Sequence, residues 1–300
     1  MARSNRSSRS HFGKRGRRGR DNNRVFKVLV ALLMLVSVLG AGGYGLTAYM
    51  KIEQIGSSFC YARPDQAETA VFLDYSVHQN MSDAQRRDMM TALERAYDAL
   101  PVNGRIMVFT TARDTGASIA RPVYEQCRPA GTLAEQAAIG APSKPRPNIE
   151  RIAEDAREAF REQLDRILAD SHDTAKAAQE SPLLANLQAI SRYPGFQGRD
   201  RAFVWLSDGI ENSETAQFCQ VKGDMPRAAT FVQRPAFNAV APESLDGIEA
   251  TLLLVETIPL PSQGLAFCSH DEMRAWWPDC LRLNGAERVR LERLRRINGS

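Results

Sequence analysis

Two short runs of acid and hydroxyl residues hold the chemistry this chain could do. Asp74-Tyr75-Ser76-Val77-His78 follows the apolar run Thr69 to Leu73, and Asp208-Gly209-Ile210-Glu211-Asn212 follows the strand-like run Arg201 to Ser207. Between them, Ser181-Pro182 opens a stretch that reads as a helix start, with Pro182 in the first turn and Ser181 placed to cap it. Two carboxylates and several hydroxyls make a hard oxygen site, suited to Mg²⁺ or Mn²⁺ with water in the remaining positions. Each run alone also fits an ordinary turn or cap. Their shared position after an apolar strand joins them, because open parallel sheets bind ligands at the carboxyl ends of their strands.

Holding these runs together requires a sheet, and the flanking sequence supplies one. Thr69 to Asp74, Arg105 to Thr111, Arg201 to Ser207 and Gly247 to Thr257 read as buried strands. Helical spacing marks Ser82 to Leu100, with Ser82 as the cap, then Ile149 to Ala169 and Pro182 to Tyr193. Strand, helix, strand in that order predicts an α/β fold with a mostly parallel, Rossmann-like sheet flanked by helices. Residues 113–148 lose periodicity and gain Pro, Gly, Ala and Ser, which predicts an insertion or long loop. Residues 261–300 predict two amphipathic helices, His270 to Leu283 with Trp276 and Trp277, and Ala286 to Ile297 with an Arg-rich face.

In the order and strand placement of these motifs the sequence resembles the von Willebrand factor type A domain, over roughly residues 69–260. That family builds a metal-ion-dependent adhesion site from Asp-x-Ser-x-Ser after the first strand, a Thr in a middle loop and an Asp after a later strand. The resemblance implies that Asp74, Ser76, Ser181 and Asp208 carry the metal, with Ser181 in place of the Thr. His78 stands where the family has its second Ser. Imidazole is softer and larger than a hydroxyl, so His78 leaves open both a shift toward a transition metal and the loss of binding. The resemblance implies protein binding and not turnover. An enzymatic reading has little else to rest on: there is no Gly-x-Ser-x-Gly elbow, HExxH helix or P-loop, and a thiol nucleophile at Cys127 or Cys219 is the remaining option.

The N-terminus stands apart from the fold. Residues 1–27 form a low-complexity tail with basic residues from Arg3 to Lys27 against a single acid, Asp21, and are expected to be disordered. Removing this tail turns the net charge of +4 into a negative one, so nucleic acid is expected to bind, if at all, only through the tail. Val28 to Met50 carries no charge and is long enough to cross a bilayer as one transmembrane helix, with residues 51–68 as a linker. The preceding positive charge predicts a cytoplasmic N-terminus in the inner (plasma) membrane and a periplasmic or extracellular C-terminal domain. Gly40, Gly42, Gly43 and Gly45 would let two such helices approach closely, as in a homodimer.

All five cysteines follow the apolar run, where disulfides are permitted, and their odd number leaves at least one thiol free or paired between chains. Cys268 with Cys280 is the most local pair, and Cys60 could tie the start of the domain to a later loop. The expected function is a membrane-anchored scaffold or assembly component that binds a protein partner on the exported side, with metal. Two alternatives stand beside it: a metal-independent structural anchor with a degenerate site, and a regulator whose basic tail binds nucleic acid or anionic lipid.

Overall fold

The computed structural model describes residues 19–50, 55–62, 66–78, 81–111, 121–141, 146–174, 181–219, 225–256 and 270–294. The chain divides into two compact units, residues 1–52 and 53–300. In the first, α1 runs from Gly19 to Met50, so the part of the expected disordered tail from Gly19 to Lys27 is helical, and residues 1–18 lie outside the described residues. Apolar side chains along α1 from Phe26 to Leu39 are exposed. Among the described residues no helix is long and apolar enough to cross a membrane; along the expected span, Val28 to Met50, the side chains of Ala41 and of residues 43–50 lie outside the described residues.

The second unit is an α/β domain around one six-stranded sheet. Its strands are β1 (Glu68–Leu73), β2 (Arg105–Thr110), β3 (Tyr124–Cys127), β4 (Arg201–Ser207), β5 (Glu249–Val255) and β6 (Arg288–Leu294), in the order β3-β2-β1-β4-β5-β6. All neighbours are parallel except β3, which runs antiparallel to β2 at one edge. The central strands are nearly continuous apolar runs because both faces of a parallel sheet are covered.

Alternate residues feed two cores. Ala70 and Phe72 of β1, Phe203 and Trp205 of β4, and Leu252 and Leu254 of β5 face one side. There they meet α6 (Leu183–Ser191), α7 (Ala228–Phe231) and α8 (His270–Leu283). Val71, Leu73, Val204, Leu206 and Leu253 face the other side, against α2 (Tyr75–His78), α3 (Asp83–Asp98) and α5 (Arg146–Thr174). The expected Ser82 cap is present as a full capping box with Gln85. The buried Gln85 amide also donates to the carbonyls of Glu256 and Leu294, fastening α3 to the ends of β5 and β6.

Two expectations are corrected. Residues 113–148 are not one irregular insertion: they contain β3, a short helix α4 (Leu133–Ala138) capped by Thr132, and the start of α5. Strand β3 is polar and only four residues long, so it carries no apolar alternation to read; pairing with β2 defines it. The second C-terminal helix, Ala286 to Ile297, is instead the strand β6 over Arg288–Leu294. An Arg- and Leu-rich run suits either state locally, and the open edge of β5 selects the strand. Val289 and Leu291 turn to one core and Leu294 to the other, while Arg288 and Arg293 pair with Glu249 and Glu256.

Cys60 bridges to Cys127 at the end of β3, so Cys60 does tie the start of the domain to a later segment. Residues around it lie along the outer edge of β3: the Cys127 N–H donates to the Ser58 carbonyl at 2.9 Å and the Tyr61 N–H to Asn103 Oδ1 at 2.8 Å. Tyr61, Ala130, Ala141 and Ile149 form a small core of their own there. Cys219 is also disulfide-bonded, and Cys280 is a free buried thiol, so the pair Cys268 with Cys280 is not made. The Cys60 bridge closes a loop with a sequence separation of 67. Replacing both Cys60 and Cys127 by Ser is expected to lower the unfolding free energy of the domain by roughly 2–4 kcal/mol, measured by denaturant titration against the oxidised parent.

Candidate cation site at the sheet switch point

The strand order reverses between β1 and β4, and the acidic residues lie at the carboxyl ends of these two strands. The register pairs Leu73 with Leu206, and the Asp74 N–H donates to the Leu206 carbonyl at 3.0 Å. Asp74 and Ser207 therefore emerge side by side. Asp74 is fully buried. Its Oδ1 accepts from the Ser76 N–H at 2.9 Å and the Ser76 hydroxyl at 2.7 Å. Its Oδ2 accepts from the Ser207 hydroxyl at 2.8 Å and, more weakly, from the Ser181 hydroxyl at 3.5 Å. One carboxylate thus gathers hydroxyls from three separate segments of chain.

Asp208 follows immediately. Its Oδ1 accepts from the Ile210 N–H at 3.0 Å, and Gly209 between them adopts φ 79°, the left-handed region that a glycine enters without penalty. The Ser207 hydroxyl accepts from the Gly209 N–H at 3.0 Å while donating to Asp74, so Ser207 couples the two acids. Removal from water raises Asp208 to about 7, and the negative charge of Asp74 adds to the rise. Burial likewise raises Asp74, against the lowering effect of its four hydrogen bonds.

Ser181 does not cap α6. Its hydroxyl is turned toward Asp74, the cap position falls on Pro182, and no side-chain cap bond is made there. Glu211 takes over the role: its Oε2 accepts from the Leu184 N–H at 2.8 Å at the start of α6. The Ser181 N–H donates to the Asn212 carbonyl at 2.8 Å and the Asn212 N–H to the Ser181 carbonyl at 3.0 Å, a two-bond bridge that joins the loop after β4 to the start of α6. Ser181 and Asp208 are thereby held in one frame. Glu211 is itself fully buried and raised to about 7, by burial first and then, in smaller measure, by the charge of Asp74. Near it, burial and the Glu211 charge push the Cys280 thiol up to about 12, which keeps it an inert thiol at neutral pH. Cys127 and Cys219 are both in disulfides, which removes them as nucleophiles.

Of the five residues expected at the site, Asp74, Ser76 and Ser181 are joined by hydrogen bonds, and Asp208 is linked to Asp74 through charge and Ser207. The side chain of His78 lies outside the described residues. Sequence reasoning gave no role to Ser207 and Glu211. Ser207 was legible as the last residue of its strand, pointing the opposite way from Leu206; nothing local marks Glu211 as buried. Among the described residues no group of three or more His, Cys, Asp and Glu side chains is arranged to hold a metal; the donor set here is two carboxylates with serine hydroxyls. None of the described ion pairs involves Asp74, Asp208 or Glu211. All the donors are hard oxygens and the acids have no counter-charge among the described residues, so the residues fit a small divalent cation better than a soft metal.

A buried carboxyl held above its ordinary pKa binds its proton more tightly in the folded than in the unfolded chain. Its stabilising effect is complete below the unfolded value and is lost as pH rises through the folded one. For Glu211 that window runs from 4.5 to about 7. Without added metal, stability is expected to fall across it, and Glu211→Gln, a neutral stand-in for the protonated acid, to flatten the fall. The variant should match the parent near pH 4.5 and exceed it at about pH 8, read from urea midpoints across the range. No protein-family model matches the chain, and a search of curated proteins finds none similar to it.

Proposed function

We propose that this chain is a single-pass membrane protein whose C-terminal part is a von Willebrand factor type A-like domain. In this reading the domain binds a protein partner on the exported side of the inner membrane, as a scaffold or assembly component of an envelope complex. The observation that carries the reading is Asp74, a buried carboxylate at the switch point that collects Ser76, Ser181 and Ser207 beside a second acid, Asp208. Two acids brought together at a largely buried site, with no counter-charge among the described residues, cost on the order of several kcal/mol, and a divalent cation offsets that cost. Asp74, Ser76, Ser181 and Asp208 would hold Mg²⁺ or Mn²⁺, which supplies a Lewis-acidic contact for an oxygen ligand from the partner. The strand order, with an antiparallel β3 at the edge, supports the family assignment.

The charge-free run from Val28 to Met50 and the exposed apolar side chains of α1 support the anchor. The basic tail before it supports a cytoplasmic N-terminus. Homodimerisation through the glycines of α1 is a separate part of the proposal. In this reading the role is binding, as the family resemblance implies.

One observation favours the metal-independent reading as the second choice. Both oxygens of Asp74 already accept hydrogen bonds, so the cluster is satisfied as a structural knot without a cation. Thermal melting of the full chain in detergent separates the two. With Mg²⁺ or Mn²⁺ at about a hundredfold over Kd, the folded state is expected to gain roughly 2.7 kcal/mol relative to chelator, a gain lost in Asp74→Ala and Asp208→Ala. A folded parent whose melting is the same in Mg²⁺, Mn²⁺ and chelator would sink the metal-dependent mechanism and leave the structural anchor.

A further inference from the structure

Trp277 lies on α8, 68 residues along the chain from Gly209, and its indole N–H donates to the Gly209 carbonyl at 2.7 Å in the buried interior. That carbonyl is one end of the peptide joining Gly209 to Ile210. The other end, the Ile210 N–H, donates to Asp208 Oδ1 at 3.0 Å. A peptide group is planar, so a bond that fixes its carbonyl also aims its N–H. The indole sits close behind the turn: a Cβ at Gly209 would lie 2.9 Å from Trp277 Nε1. The ring is held in turn by Trp205 and Trp276, with centroids at 4.8 and 4.9 Å.

We propose that Trp277 is a positioning residue of the cation site, setting the Asp208 carboxylate through this single peptide. The inference rests on the metal-dependent reading above and adds to it a residue from a different helix, remote in sequence, whose indole N–H bonds to backbone and not to a candidate ligand side chain. Packing alone does not account for the arrangement, since a phenyl ring would fill much of the same space without a donor. A small apolar cavity lined by Trp205, Ser207, Gly209, Met273 and Trp277 lies beside the turn. Once the indole N–H is gone, the Gly209 carbonyl loses the bond that fixes the 209–210 peptide, and with it the aim of the Ile210 N–H at Asp208.

The test compares the full chain and Trp277→Phe, both purified in detergent, by calorimetric titration with Mn²⁺ alone. Loss of one buried hydrogen bond that acts on a ligand is expected to weaken Mn²⁺ binding roughly three- to tenfold. A purely structural role would lower the melting temperature equally with Mn²⁺ and with chelator and leave the affinity unchanged, and that result overturns the inference while the cation reading stands. A folded parent that binds no Mn²⁺ overturns both. Should the variant fail to fold, the parent labelled at its three Trp indole nitrogens gives the answer by nuclear magnetic resonance. Mg²⁺ is expected to displace the Trp277 indole signal more than that of Trp276, whose N–H is bonded to the Pro226 carbonyl; equal or absent displacements overturn the proposal.

Discussion

Burying the Asp74 carboxylate is the constraint around which the domain is arranged. An ionised carboxylate removed from water must be surrounded by donors, and the central strand β1 delivers this one to a point where the local chain supplies only Ser76. The remaining donors come from β4 and from the start of α6, so β1 and β4 must be adjacent, in register and parallel. Ser207 then becomes the hinge of the arrangement, donating to one acid and accepting from the turn that carries the other. The demand for donors also explains why α6 lacks a serine cap, and why an acid from the next loop reaches back to its first turn.

Electrostatics at this end of the sheet is one-sided. Asp74, Asp208 and Glu211 are raised by the same loss of water, and the charge of Asp74 adds to the rise of both others. The opposite end of β1 is balanced: the Glu68 carboxylate there pairs with Arg105 at 2.8 Å and accepts the Gly198 N–H at 2.7 Å. A strand whose buried acid is matched by a cation at one end and, among the described residues, only by hydrogen bonds at the other has a polarity. That polarity coincides with the end at which open parallel sheets take ligands.

Much of this was legible in the residues. The buried strands announce themselves as apolar runs, because two covered faces demand it, and Ser82 with Gln85 writes its capping box in four letters. Asp74, Ser76, Ser181 and Asp208 could be singled out because each sits next to an element with a clear pattern. Strand β3 and strand β6 were not legible, since both are edge strands with polar or charged sequences whose conformation is set by a neighbouring strand. Glu211 and Trp277 were hidden for a related reason. Their importance lies in backbone atoms of distant segments, Leu184 N–H and Gly209 carbonyl, which no local spacing encodes.

The bridge from Cys60 to Cys127 has a mechanical meaning. A pull applied to the chain ahead of Cys60 reaches that residue before it reaches β1, and passes through a covalent link into the edge strand β3. The load is therefore shared with the bridge before it arrives at Glu68. The hydrogen bonds that hold β1 between β2 and β4 are not peeled open from their free end, one after another, by a load arriving along the backbone. A tether fastened in this way can be tugged without disturbing the strand that carries Asp74.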